Sequence, residues 1–333
     1  MAEMVDVPGT GKRIGLVCPP NFMRSVMTLG GLTWCFDNGI RPVMITGASG
    51  GACVALSVAE WNAPVMAHAC ETWMNLRPTS ISKARTWDKV FLLAAACGAL
   101  SHLIPNKKNS SLLRVALAGL SLGLPAAAFY KMLEQSSLFS SDPLGKLFEK
   151  NLCPERVCGP DSVPLAMVAA ERNTGKRIIH TNFLPGDRER PELLIPFCLM
   201  SATIPIIFDP RNFFGHPMTD GARARQDPMA IDFIEQHTNP DTIVVFLFYE
   251  LPRGSDQMTI LSSLDQDNEL VVRDKLMTTL DHLPPTIKEK VVIVMADTPP
   301  RKIGLHHFTR HDLESLYETG YRTMEKYRAR IFE

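Results

Sequence analysis

The sequence has no excess of charge of either sign: 35 basic and 35 acidic residues cancel over 333 positions. A neutral balance sets up no overall field to attract a nucleic-acid backbone, so nucleic-acid binding is set aside. Long hydrophobic runs are missing as well. The two charge-poor stretches, 90–105 and 115–130, hold 16 residues each, short of the roughly 20 that a membrane-spanning helix needs. Eight cysteines follow no repeated spacing, and the closest pair, Cys153 and Cys158, has neither a histidine nor a second pair nearby. That spacing fits no common zinc pattern and leaves free, mostly buried thiols. Residues Met1 to Gly11 are acidic, include a proline and precede the first apolar stretch at Ile14, which is unlike a secretory signal. A reducing, cytoplasmic setting fits both observations. Internal repeats, low-complexity tracts and an obvious linker are also lacking, and 45% hydrophobic content suffices for a large core. At 333 residues the chain could form one large α/β domain or two smaller ones.

What is present begins with Gly47-Ala48-Ser49-Gly50-Gly51. Pro42 to Thr46 is apolar enough for a buried strand and Ala52 to Ala59 suits a packed helix, so Ser49 falls on a strand-to-helix turn. Such a turn strains the serine backbone, and flanking glycines accommodate it. The following helix aims its first N–H groups at the serine, which favours developing negative charge. Two readings fit the five residues alone: a nucleophile elbow, or a glycine-rich turn that packs a strand on a helix.

Upstream, Arg13 to Cys18 reads as a first strand ended by Pro19-Pro20. Residues 24–38 read as a helix closed by Gly39 in the C′ position. Strand, helix, strand, elbow and helix in succession call for a parallel sheet with crossover helices. Further strands are expected at Arg177–Thr181, Thr242–Phe248 and Val291–Met295, the last as a fully buried sheet position, and a long amphipathic helix at Asp312–Phe332. Between Trp87 and Leu138 the composition changes to the two charge-poor stretches around Asn106-Lys107-Lys108-Asn109-Ser110. Three readings of this insertion stay open: a helical hairpin buried against the core, an apolar flap lying on a lipid surface or over a cleft, or a true membrane span.

A serine hydroxyl needs a base, and the chain offers Asp220-Gly221-Ala222 after the small-residue run Ser201-Ala202-Thr203-Ile204-Pro205. With the elbow near the N-terminus, a distant D-G-A, and Gly30 and Arg24 in the first helix and its leading loop, the sequence resembles the patatin-like phospholipase family. Its Gln226-Asp227-Pro228 stands where the family usually has asparagine and proline. The resemblance spans most of the chain outside residues 87–138. It implies that residues 1–333 form a single domain with an α/β, three-layer fold, a mainly parallel central sheet flanked by helices. It also implies a lipid acyl hydrolase of phospholipase A or lysophospholipase type, acting through Ser49 and Asp220 without histidine, metal or cofactor. The implied partners are a lipid or lysophospholipid substrate and a membrane surface met peripherally. Where the family has a G-G-G-x-R-G loop, this chain has Pro20-Asn21-Phe22-Met23-Arg24-Ser25. The oxyanion donors expected from the resemblance are thus the N–H groups of Gly50 and of Asn21, Phe22 or Met23, with Arg24 orienting the loop or meeting a lipid phosphate. Proline has no N–H and Phe22 is bulky, so a second reading stands beside the first: a catalytically impaired lipid-binding or interaction protein on the same scaffold. A rival mechanism would pair Ser49 with one of the late histidines, His282, His306, His307 or His311.

Overall fold

Short apolar strands that bury both faces require helices on each side, and the computed structural model has that arrangement. It describes residues 11–20, 22–81, 83–84, 120, 137–247, 273–296 and 308–332. The expected insertion at 87–138 lies largely outside them. The central sheet runs in the order β11 (Val291–Ile293), β10 (Thr242–Val245), β1 (Ile14–Cys18), β2 (Met44–Ala48) and β5 (Leu165–Glu171), all parallel. Three antiparallel strands complete it: β6 (Arg177–Thr181), β8 (Arg211–Phe213) and β9 (His216–Thr219). A small second sheet joins β3 (Lys83–Ala84), β4 (Ser137–Ser140) and β7 (Ile206–Phe208).

Successive side chains of the strands divide between two cores. Leu16, Val244 and Met167 pack with α1 (Ser25–Asp37), α2 (Gly50–Val58), α5 (Leu194–Ser201) and α8 (Arg310–Phe332). Val17, Ile243, Val245 and Ala166 face the opposite way, against α6 (Ile231–Thr238) and α7 (273–281). Two helices on the first face, α3 (Ala63–Met74) and α4 (Asp142–Asn151), stand outside α2. The period of two along each strand thus produces the three layers.

The expected mixed α/β fold with a mainly parallel sheet is present, with adjustments. Gly39 closes α1 at φ +72°, as its C′ position requires. The elbow strand runs Met44–Ala48, two residues later than Pro42–Thr46, because Gly47 and Ala48 stay in register with Met167 and Val168. The turn takes a single residue, Ser49, so α2 starts at Gly50 and not at Ala52. The fully apolar Val291–Met295 run is not a buried central strand. Among the described residues β11 pairs with β10 alone, its three residues are half-buried, and Met295 is exposed. Apolar composition alone cannot distinguish an edge from a centre.

Candidate active site

Ala170 pairs with Arg177 of β6 and with Thr219 of β9, so those two strands occupy opposite edges of β5. β2 pairs with residues 165–168 of β5 and β6 with 166–170, so β2 also lies on the edge away from β6. β2 and β9 therefore share one edge of β5 and approach each other end to end. The residue that follows β2 is Ser49 and the residue that follows β9 is Asp220. Ser49 Oγ donates a hydrogen bond to Asp220 Oδ2 at 2.7 Å, and both residues are buried. The approach is tight: a Cβ placed on Gly221 would fall 2.2 Å from the Val168 carbonyl oxygen and 3.0 Å from Ala48 Cβ.

Ser49 sits at φ +54°, ψ −130°, a strained conformation for a residue with a Cβ. The strain is held by close backbone packing beneath the turn. A Cβ on Gly51 would meet the Cys18 oxygen at 2.1 Å and the Pro19 oxygen at 2.5 Å, so the first turn of α2 rests directly on the end of β1. A second clamp comes from Ser201 at the end of α5. Its Oγ accepts from Ser49 N at 2.8 Å and donates to the Val168 oxygen at 2.5 Å, tying the elbow to β5.

Asp220 is fixed on its other side. Its Oδ1 accepts from Ala222 N at 2.9 Å and its own N–H donates to the Thr203 oxygen at 2.9 Å. Burial pushes its carboxyl up to about 6, opposed by the bonds from Ser49 and Ala222 and by the charges of Arg223 and Lys275. Lys275, from α7, donates to the oxygens of Ala222 and Ala224 at 3.2 and 3.1 Å, which braces the loop after the aspartate.

Seven residues after Asp220, the Asp227 carboxylate accepts from the N–H groups of Met229, Ile231 and Asp232, so it organises its own turn and the start of α6. Of the residues expected around the oxyanion, Gly50 and Met23 line the pocket at Ser49, while Asn21 and the Phe22 side chain lie outside the described residues. Arg24 is buried, which removes its guanidinium from bulk solvent. Of the late histidines, His282 engages the Thr278 oxygen of its own helix and His311 is exposed; His306 and His307 lie outside the described residues.

Ser49 and Gly50 open onto an apolar pocket of about 50 Å³ walled by Met23, Trp73, Leu76, Ile81, Leu144 and Phe208. A hydroxyl bonded to a buried carboxylate, at a helix N-terminus and beside an apolar pocket, is suited to acyl transfer from a hydrophobic ester. Sequence reasoning found the serine and the aspartate but not Ser201 as a clamp, nor Lys275, nor Trp73. Ser201 stood inside the small-residue run without a motif of its own. Lys275 and Trp73 reach the site through packing across more than 20 residues of chain.

Residues 22–232 match the family model described as patatin-like phospholipase, a span that includes both Ser49 and Asp220. No curated protein matches by sequence. Among solved structures, the crystal structure of VipD from Legionella pneumophila is similar with a TM-score of 0.39 and 11% identity, over 96% of this chain and 66% of that chain, just under two thirds of it. With more than half of its length matched by that family model, the chain belongs to the patatin-like phospholipase family.

Proposed function

We propose that the protein is a lipid acyl hydrolase of phospholipase A or lysophospholipase type that cleaves carboxylic esters through an acyl-serine on Ser49. The observation that carries this reading is the 2.7 Å bond from Ser49 Oγ to Asp220 Oδ2. A carboxylate of ordinary basicity is a weak base for a serine, and burial raises that basicity here. Asp220 takes the hydroxyl proton as Oγ attacks the ester carbonyl. The proton then passes to the departing alcohol as the carbon–oxygen ester bond breaks and the acyl-serine forms. Water attacks that ester with Asp220 again as base, which releases the carboxylic acid and restores Ser49. The start of α2 supplies positive potential at the developing oxyanion, with N–H groups from Gly50 and from Asn21, Phe22 or Met23 as its donors.

One feature favours the second reading, a lipid-binding scaffold that has lost turnover: Pro20, Asn21 and Phe22 stand where glycines would let backbone N–H groups reach the substrate. A fluorophosphonate probe separates the two. Covalent labelling that disappears in Ser49→Ala supports the hydrolase, and a folded protein that takes no label supports the scaffold.

Peripheral association with a lipid surface is part of the same proposal. It is supported by the two charge-poor stretches in the sequence and by the strands that flank them. β4 pairs with both β3 and β7, and β7 carries Phe208 of the pocket wall. Flotation of the intact protein with phosphatidylcholine vesicles should exceed that of a variant lacking residues 87–138; equal flotation of the two excludes a role of the insertion in the association.

A further inference from the structure

A second cavity, of about 190 Å³, lies behind the pocket at Ser49. The same three helices contribute to both. On α2, Cys53 faces the first and Ser57, one turn on, faces the second. Leu144 and Phe148 of α4 divide in the same way, as do Trp73 and Ala69 of α3. The two spaces are thus successive stations of one trench between α2, α3 and α4. It runs from Ser49 towards Glu60 and Arg156, whose side chains pair at 3.4 Å at the far end. The distance from Ser49 to Ser57 along α2 is on the order of 12 Å at the helical rise.

Trp73 stands where the trench is interrupted. Its ring is buried, lines the near pocket, and is pinned by a bond from Nε1 to Ser57 Oγ at 3.2 Å; Ser57 in turn lines the far cavity. Ser57 Oγ also donates to the Cys53 oxygen at 2.8 Å, so the residue that anchors the indole is itself fixed. Beyond this partition the far cavity is lined by five apolar residues, Pro64, Val65, Ala69, Phe148 and Leu152, and by six polar or charged ones that include Glu60, His68 and Arg156; most of the surface it presents is nevertheless apolar, which suits hydrocarbon.

Resting on the hydrolase reading, we propose that the trench is the acyl-chain site and that Trp73 is its stop. The near pocket takes the carbonyl-proximal part of the chain, and the far cavity is a distal subsite closed off by the indole, so that chain length is limited at Trp73. Removing the ring should join the two spaces and admit longer chains. Each further methylene that becomes buried should favour the longer chain roughly fourfold.

The test compares p-nitrophenyl octanoate and palmitate as substrates for the protein with Trp73 intact, as Trp73→Ala and as Trp73→Leu. In parallel, binding of octanoate and palmitate is measured by calorimetry on the same set carrying Ser49→Ala, so the trench is also read without turnover. The palmitate-to-octanoate preference is expected to rise about tenfold or more in both assays. Adding Ala69→Phe to the Trp73→Ala protein fills the far cavity and should return the preference towards its starting value. If Trp73→Ala fails to fold, Trp73→Leu, which keeps an apolar side chain in the wall, carries the comparison. An unchanged preference in folded variants that still cleave octanoate overturns the proposal, and so does a gain that Ala69→Phe leaves intact. Altered palmitate binding in a protein that cleaves no ester supports the trench and refutes the hydrolase reading instead.

Discussion

Ser49 and Asp220 meet because the strands that end on them, β2 and β9, run head-on along one edge of β5. The pair is therefore a consequence of sheet register, and its two members can be separated chemically without disturbing the fold. Asp220→Asn keeps the size and can still accept from Ala222 N, but it cannot take a proton. Loss of a general base is expected to lower ester hydrolysis and the rate of fluorophosphonate labelling by about 10² to 10⁴. The thermal transition should not fall. Full activity in the variant would exclude the dyad.

The same substitution has a signature in pH. Asp220 is raised from its ordinary 3.8 to about 6, chiefly by burial. It acts as a base only when ionised, so kcat/KM should rise with pH through a limb near 6. For stability the sign is opposite. Between about pH 4 and 6 the folded protein holds a proton on Asp220 that the unfolded chain has released, so stability falls as pH rises across that window. The shift corresponds to something on the order of 3 kcal/mol at pH 7. Asp227, also raised to about 6, adds a fall of the same sign. Urea unfolding of Asp220→Asn should therefore show a more stable protein than the original at pH 7 and little difference at pH 4. A variant less stable at pH 7 would contradict the burial of that charge.

Ser201 offers a test of positioning. Its hydroxyl connects Ser49 N to the Val168 oxygen, and Ser201→Ala leaves both groups without that partner inside the core. A stability loss of about 1 to 3 kcal/mol is expected from the two orphaned groups. A merely structural role would stop there. As a positioning residue, Ser201 should also lower kcat by roughly tenfold or more with KM nearly unchanged, because misplacing the elbow affects the transition state and not the binding of a chain in the trench. Equal kcat in the two folded proteins would reduce Ser201 to a core hydrogen bond.

How much of this was legible in the sequence depends on whether the information is local. The elbow, Gly39 at its C′ position and Arg177–Thr181 follow from neighbouring residues, and each is found where the pattern places it. Asp220 was legible only through resemblance, since nothing within the residues around it distinguishes it from Asp227, whose carboxyl burial also raises but which caps a turn instead. Ser201, Lys275 and Trp73 were not legible at all. Their roles depend on where α5, α7 and α3 come to rest, and a hydroxyl at the end of an apolar helix carries no sign of what it will face. Val291–Met295 failed for a related reason, because an apolar run does not disclose whether a further strand will lie beside it.

The long C-terminal helix, legible as amphipathic, proves to be held by a contact that amphipathicity does not describe. A Cβ on Gly320 of α8 would lie 1.9 Å from the Met27 oxygen, and one on Gly30 of α1 would lie 2.1 Å from the Tyr317 oxygen. The obstruction is backbone in both cases, so no rotamer change can relieve it and the helices must separate. Gly30→Ala and Gly320→Ala are each expected to lower stability by about 2 to 3 kcal/mol, at the upper end of overpacking costs. The two glycines serve one contact, so once either methyl has pushed the helices apart the second should cost little, and the double variant should lose clearly less than the sum. Gly186→Ala is the control: a Cβ there meets nothing within 4 Å, and its effect on urea unfolding should be small or stabilising. Separation should also reach the site, because α1 begins at Ser25, directly after the Phe22–Arg24 turn whose Met23 lines the pocket. A folded Gly320→Ala protein should accordingly label more slowly at Ser49 although residue 320 touches no part of the dyad. Additive losses, or unaltered labelling, would show that α8 packs on α1 without bearing on the loop that faces the nucleophile.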